Sequence, residues 1–224
     1  MIGPFLGEAI LILAGYLWGS LSPSAFIARW ARGIDLSRYG TGNIGASNLG
    51  EQLGGGAWKL VAVLADGIKG WVPPAVASLL GFQTSIVALV GLATMAGHAW
   101  SIWLGFRGGR AIAAAAGVLC AWDVRFIVVV PLVLAVGRAT GRAGLTTMIV
   151  VLLLAPAAWL LRMPAPIVVG CALQAVLVAV KRLEANGLPL PRDRGDRRAV
   201  LWRRLWSDRD LSGGQPWEKR GRFD

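Results

Sequence analysis

Gly40-Thr41-Gly42-Asn43-Ile44-Gly45-Ala46-Ser47-Asn48 is a small, polar, glycine-rich stretch set between two apolar runs, Phe5 to Ala28 and Ala57 to Leu80. Three glycines within Gly40–Gly45 argue against a buried helix, where each costs about 1 kcal/mol relative to alanine. They suit a loop whose backbone N–H groups close around an oxyanion. Thr41, Asn43, Ser47 and Asn48 add neutral donors and bring no negative charge. A second loop of the same character, Gly105-Phe106-Arg107-Gly108-Gly109-Arg110, adds two guanidinium groups. Two such loops among apolar runs point to a membrane protein with a site for a phosphorylated substrate.

Composition supports that reading. The 224 residues are 55% hydrophobic and only 16% charged, against about 25% charged in soluble domains, and the mean hydropathy is +0.59. Apolar stretches of about 18 residues or more recur, which is the signature of membrane-spanning helices. The expected fold is therefore an all-α polytopic membrane protein. The net charge of +11 would suggest nucleic acid in a soluble protein. Here the cations flank apolar spans, where they orient the chain and meet anionic membrane lipids, so no nucleic-acid role is assigned. Cys120 and Cys171 both lie in apolar segments, as small core residues rather than a disulfide framework. No basic region precedes the first apolar run, so the N-terminus reads as a retained span rather than a signal peptide.

Seven spans are expected. The first runs from Phe5 to Ala28 with a polar second half, Gly19-Ser20-Leu21-Ser22-Pro23-Ser24, that suits a kink or an interior face. The second, Ala57 to Leu80, carries Asp66 and Lys69 three positions apart, where they neutralise each other on one helix face. That pair either fixes the helix or serves the substrate. Pro73-Pro74 should kink the same helix. The third span, Ser85 to Leu104, carries His98, the only histidine; a lone histidine there is either a hydrogen-bonded structural group or a catalyst. Ala111 to Trp122, a fifth span ending at Gly137, a sixth ending at Leu161 and a seventh ending at Val180 follow. Arg29, Arg32, Arg38, Arg107, Arg110, Arg138, Arg142, Lys181 and Arg182 fall on one side, and Arg125 and Arg162 on the other. This asymmetry places the N-terminus outside and the C-terminus in the cytoplasm. Residues 1–182 form the seven-helix domain, and residues 183–224 a basic tail with an interfacial helix near 197–206 and little order after Ser207.

Several chemistries are absent. One histidine excludes a two-histidine zinc site within the chain, and no Cys/His cluster has metal-ligand spacing. Neither Gly-x-Ser-x-Gly nor the Walker Gly-Lys-Ser/Thr ending occurs. Trp103 stands five residues after His98, which excludes the His-x4-Asp acyltransferase pair. What remains is electrostatic positioning of a phosphorylated substrate, without metal or cofactor.

In this order the segments resemble the acyl-phosphate:glycerol-3-phosphate acyltransferases, the PlsY family of bacterial membranes. Gly19 to Arg29 is similar to its Gly-Ser-Ile-Pro…Ala-Arg span end, and Gly40 to Asn48 to its Gly-Ser-Gly-Asn-x-Gly-Ala-Thr-Asn motif. Asp66-x-x-Lys69-Gly70 matches Asp-x-x-Lys-Gly. Gly97-His98 and Leu104 to Arg110 resemble Gly-His…Leu-Gly-Phe-Lys-Gly-Gly-Lys-Gly, with both lysines now arginine and the last glycine now Ala111. Two departures stand out. Glu51 occupies a position where the family places arginine. The third motif, His-Arg-Glu-Asn, is out of register in Lys181-Arg182-Leu183-Glu184-Ala185-Asn186, where only Arg182 survives; Glu184 and Asn186 substitute only if the backbone shifts.

The resemblance implies transfer of an acyl group from acyl phosphate to glycerol 3-phosphate in the bacterial cytoplasmic (inner) membrane. It implies catalytic roles for Ser20, Asn43 and His98. It implies substrate binding by Thr41, Gly42, Gly45, Ser47, Asn48, Lys69, Arg107, Gly108, Gly109, Arg110 and Arg182. The second loop is assigned the glycerol-phosphate headgroup and the first loop the acyl phosphate. Glu51 and the displaced third motif keep open a non-catalytic lipid-binding or scaffold relative, and the intramembrane Asp66–Lys69 pair a transporter.

Overall fold

The computed structural model describes residues 4–208; the expected lack of order after Ser207 falls almost wholly outside the described residues. Among these, regular structure is helical apart from one isolated bridge between Ser101 and Arg107. Four segments are long and apolar enough to cross a membrane: residues 5–32, Gly56–Leu79, Ala143–Leu160 and residues 165–187. Together with shorter apolar helices between them, they make this a multi-pass membrane protein.

The first expected span is two helices, α1 (Pro4–Ser20) and α2 (Pro23–Arg32). The break is encoded locally: Ser22 caps α2 by accepting the Ala25 N–H at 3.2 Å, and Pro23 opens it. The first loop is likewise not all loop, because a 3₁₀ turn (Leu36–Arg38) and α3 (Ala46–Leu53) lie within it. Ala28 of α2, Leu36, Ile44, and Leu49 and Leu53 of α3 pack with Ala62, which anchors this region on the next helix.

That helix, α4 (Gly56–Leu79), turns its apolar stripe of Leu60, Leu64 and Ile68 outward and buries Ala62, Asp66, Lys69 and Gly70. Both prolines lie inside the continuous helix. Pro73 has no N–H for the Lys69 carbonyl, and the Trp18 indole of α1 supplies the missing donor at 3.2 Å. The carbonyl that Pro73 leaves without a helical donor is thus satisfied by an interhelical bond.

α5 (Thr84–Ala99) and α6 (Ile112–Trp122) are short; the 11 residues of α6 rise about 16 Å at 1.5 Å each, against a hydrocarbon core of about 30 Å. α5 packs closely on α1, where a methyl on Gly19 would strike the Thr94 carbonyl and one on Gly97 the Tyr16 carbonyl. α4 and α6 meet similarly, through Gly67 and Gly117 and through Gly70 and Ala114. α7 (Phe126–Ala139), α8 (Ala143–Leu160) and α9 (Ala165–Glu184) follow. The core joins Met95, Val118, Val151 and Val178 from four of these helices. α9 runs one turn past its expected end at Val180. The segment 197–206 lies within helix α10 (Arg194–Ser207), packed against α8 and α9 with Arg204 buried.

Candidate functional site

The break between α1 and α2 leaves the Leu21 carbonyl outside a helix, and Lys69 Nζ donates to it at 2.6 Å. The same ammonium lies 3.2 Å from Asp66 Oδ1 and 2.9 Å from His98 Nδ1, while Asp66 Oδ1 lies 3.3 Å from that ring nitrogen. The i,i+3 spacing on α4 therefore presents a charge pair to His98 at the end of α5, and all three side chains are buried. The other ring nitrogen, Nε2, abuts Gly109, where a methyl would collide with it. His98 thus links the buried charges to the second loop.

That loop turns tightly: Ser101 N donates to Arg107 O at 3.2 Å, and Gly105, Phe106 and Ala111 all take positive φ. Gly109 N donates to His98 O at 3.2 Å, and Gly108 packs on the carbonyls of His98 and Ala99. The two loops touch, since Ile44 N reaches Gly108 O at 3.4 Å and Gly45 faces the Gly109 backbone. Each loop feeds a helix whose N-terminus has no side-chain cap, α3 at Gly45 and α6 at Ala111. The first-turn N–H groups of such helices suit an anion.

The displaced third motif supplies the clasp. α9 ends in left-handed geometry at Ala185 (φ 48°) and Asn186 (φ 56°), which swings Asn186 between the loops. Its Nδ2 donates to Gly42 O at 3.1 Å and Gly108 O at 3.0 Å. Its Oδ1 accepts Gly108 N at 3.2 Å and Lys181 Nζ at 2.7 Å. Lys181 is fully buried, pairs with Glu184 at 2.8 Å, and sits 5.2 Å above the Trp100 ring. Sequence reasoning omits both residues from the site. The available signal is Asn186-Gly187 after a helix, since asparagine tolerates the left-handed region.

The other assigned residues divide clearly. Asn48 is 1% exposed and donates from one amide nitrogen to the Leu36, Tyr39 and Asn43 carbonyls at 2.9–3.2 Å; it holds the first loop from inside rather than facing a ligand. Thr41 Oγ1 accepts Asn43 N at 3.3 Å. Asn43 Oδ1 is buried with no hydrogen-bond donor among the described residues. Ser20 is buried, donating to Tyr16 O at 2.9 Å and accepting Ser101 Oγ at its carbonyl at 2.6 Å, so it ties α1 to the second loop. Arg107 is exposed on that loop. Arg110 is bound to Lys181 O at 3.0 Å and lies 2.7 Å from Asp208 Oδ1. Arg182 is spent on Gly144 O at 2.9 Å and Leu205 O at 2.8 Å, away from the loops. Ser47 and Glu51 share the exposed face of α3. No cluster of three metal-ligating side chains occurs among the described residues.

Comparison with known proteins bears on the family and the fold. Residues 9–186 match the family model described as glycerol-3-phosphate acyltransferase. A glycerol-3-phosphate acyltransferase of Synechococcus sp. (strain CC9902) is 39% identical over 121 residues, 53% of this chain and 60% of that protein. One of Geobacter sulfurreducens is 44% identical over 113 residues, 50% of this chain and 57% of that protein. The chain thus spans somewhat over half the length of these relatives. The fold is similar to that of PlsY (YgiH), an integral membrane glycerol 3-phosphate acyltransferase solved in its glycerol 3-phosphate form. That match has a TM-score of 0.73 at 23% identity and covers 81% of this chain and 90% of the other. The lysophosphatidic acid form of the same protein matches with a TM-score of 0.69.

Proposed function

The chain belongs to the glycerol-3-phosphate acyltransferase family, and from that premise we propose that it moves a fatty acyl group from acyl phosphate to the 1-hydroxyl of glycerol 3-phosphate. The hydroxyl oxygen attacks the acyl carbon, the bond from that carbon to the phosphate oxygen breaks, and lysophosphatidic acid and inorganic phosphate leave. The donor is already activated, so no nucleophilic side chain is required. A donor phosphate oxygen takes the hydroxyl proton; His98, with Asp66 3.3 Å from its ring nitrogen, supplies charge beneath the second loop. The protein's task is to align two anionic substrates and stabilise the charge that develops between them.

The observation that carries this reading is the joint made by Asn186, which sets two glycine loops and two uncapped helix N-termini side by side. Arg107 with the Gly108–Gly109 loop receives the glycerol-phosphate headgroup. Thr41, Gly42, Gly45 and Ser47 border the donor phosphate. Asn43 Oδ1, an acceptor without a donor, aligns a glycerol hydroxyl. His98, Lys69 and Asp66 form the charged floor beneath the second loop, and Ser20 fixes that floor to α1. Asn48, Arg110 and Arg182 are positioning residues. The solved relatives named for their glycerol 3-phosphate and lysophosphatidic acid forms support this choice of acceptor and product.

The seven apolar segments give the topology, with the short α5 and α6 counted as spans, the N-terminus outside and both loops on the cytoplasmic side of the bacterial inner membrane. The exposed arginines and Trp202 of α10 then meet anionic lipid. Purified protein supplied with acyl phosphate and glycerol 3-phosphate is expected to form lysophosphatidic acid and phosphate. A well-folded protein that forms neither would leave the non-catalytic relative as the reading.

A further inference from the structure

The family match ends at residue 186, yet the chain continues into α10, which three arginines tie to the start of α8, to the turn after α9 and to the second loop. Arg204 is 1% exposed and donates to Leu183 O at 3.2 Å and Leu188 O at 3.1 Å, the carbonyls on either side of the turn that carries Asn186. Arg182 joins Leu205 O near the end of α10 to Gly144 O at the start of α8. Arg110, which directly follows Gly109, joins the second loop to Lys181 O at the end of α9 and, through Nε, to Asp208 at the end of α10.

We propose that α10 is a built-in positioning element for the transfer site, and that Asp208 is the residue through which it sets the second loop. Each tether reaches a group that shapes the site. Lys181 carries the ammonium on Asn186 Oδ1, Leu183 and Leu188 bracket Asn186, and Arg110 adjoins the glycines packed against His98. Arg110 Nε and Asp208 Oδ1 lie 2.7 Å apart as an ion pair without hydrogen-bond alignment, so Asp208 holds the guanidinium in place by charge. Without Asp208, Arg110 keeps only one of its two anchors and the 108–110 backbone is free to shift. With Asp208 in place Arg110 is held in an ion pair at the end of α10, and Arg107, exposed on the loop, is the arginine offered to the substrate phosphate.

Asp208 lies in the left-handed region at φ 55°, which asparagine also tolerates, so Asp208→Asn removes the charge and spares the backbone. The kinetic arm of the test rests on the acyltransferase reading; the exchange arm does not. In the full-length protein, Asp208→Asn is expected to raise amide hydrogen exchange at 105–112 and leave 84–98 unchanged. It is expected to raise KM for glycerol 3-phosphate about fivefold, the reading of about 1 kcal/mol in binding. The turnover number should stay within about twofold, and Asp208→Glu should restore KM. Unchanged exchange at 105–112 overturns the proposal whatever the activity. A fall in KM also overturns it, because Arg110 would then bind phosphate once released. Raised exchange in a protein with no transferase activity, wild type included, upholds the tether and sinks the transfer reading.

Discussion

Loop one, residues 40–48, is braced from within, whereas loop two, residues 105–110, is braced from outside. The Asn48 amide reaches three carbonyls five to 12 positions away along the chain. The Gly108 N–H and carbonyl are met by Asn186, 78 positions away, and Gly109 leans on His98. A locally braced loop keeps its shape if a distant element moves; a remotely braced one takes its shape from the helix ends that surround it. The membrane gives a reason for so complete a set of bonds, since irregular backbone near the hydrocarbon layer persists only where its polar groups are satisfied within the protein.

The largest effect should come from Gly109→Ala. Its methyl would strike His98 Nε2 and crowd the Ile44 carbonyl, driving the loops apart at the floor of the site. A loss of about 4 kcal/mol in stability is expected, read as a fall in melting temperature together with lost activity. A near-normal melting temperature would mean that loop two has slack that the packing denies.

Asn48→Ala separates the two loops cleanly. It strips the donor from three carbonyls in the buried interior of loop one, for an expected loss of about 3 kcal/mol. Hydrogen exchange should rise across 36–48 while 105–112 stays protected. Equal deprotection of both loops would dissolve the distinction between them.

Ala111→Gly tests the strain carried by loop two. Ala111 stands where the family pattern has glycine and adopts φ 58°, a region that costs a side-chain-bearing residue about 1–2 kcal/mol. Its buried methyl returns part of that through packing, so a net gain of about 0.5–1 kcal/mol is expected by thermal or denaturant unfolding. A loss would place the methyl's packing above the backbone strain.

Glu51→Arg should do least. The carboxylate is exposed on α3 beside Ser47, and no ion pair to Arg29, Arg32 or Lys59 is found among the described residues. Stability should move by less than about 0.5 kcal/mol. A large gain in transfer rate would instead extend the donor phosphate's contacts along this face from Ser47 to Glu51.

The same contrast explains what is legible in the sequence. Loop one, the Asp66–Lys69 pair and its approach to His98 follow from short spacings and helix periodicity, so they can be read locally. The break at Leu21–Ser22 is also written locally, in Ser22-Pro23, although the apolar run hides it. Asn186 is not legible in the same way. In helical register its motif looks lost, and the surviving Arg182 draws attention to a residue that faces α8 and α10. Only the left-handed backbone at Ala185 and Asn186 brings the amide to the loops. The donor for the carbonyl that Pro73 leaves free is Trp18, 55 residues before the proline, which no window on α4 contains.

The most direct test of the joined-loop site is the rate of lysophosphatidic acid formation from acyl phosphate and glycerol 3-phosphate by wild type and Asn186→Asp. Aspartate keeps the size of the side chain but replaces the amide donor with an oxygen facing the Gly42 and Gly108 carbonyls. That exchange of two bonds for two repulsions is worth about 3 kcal/mol. The account predicts an active wild type and a variant at least about tenfold slower, with exchange raised chiefly in loop two. Equal rates in the two proteins would contradict it.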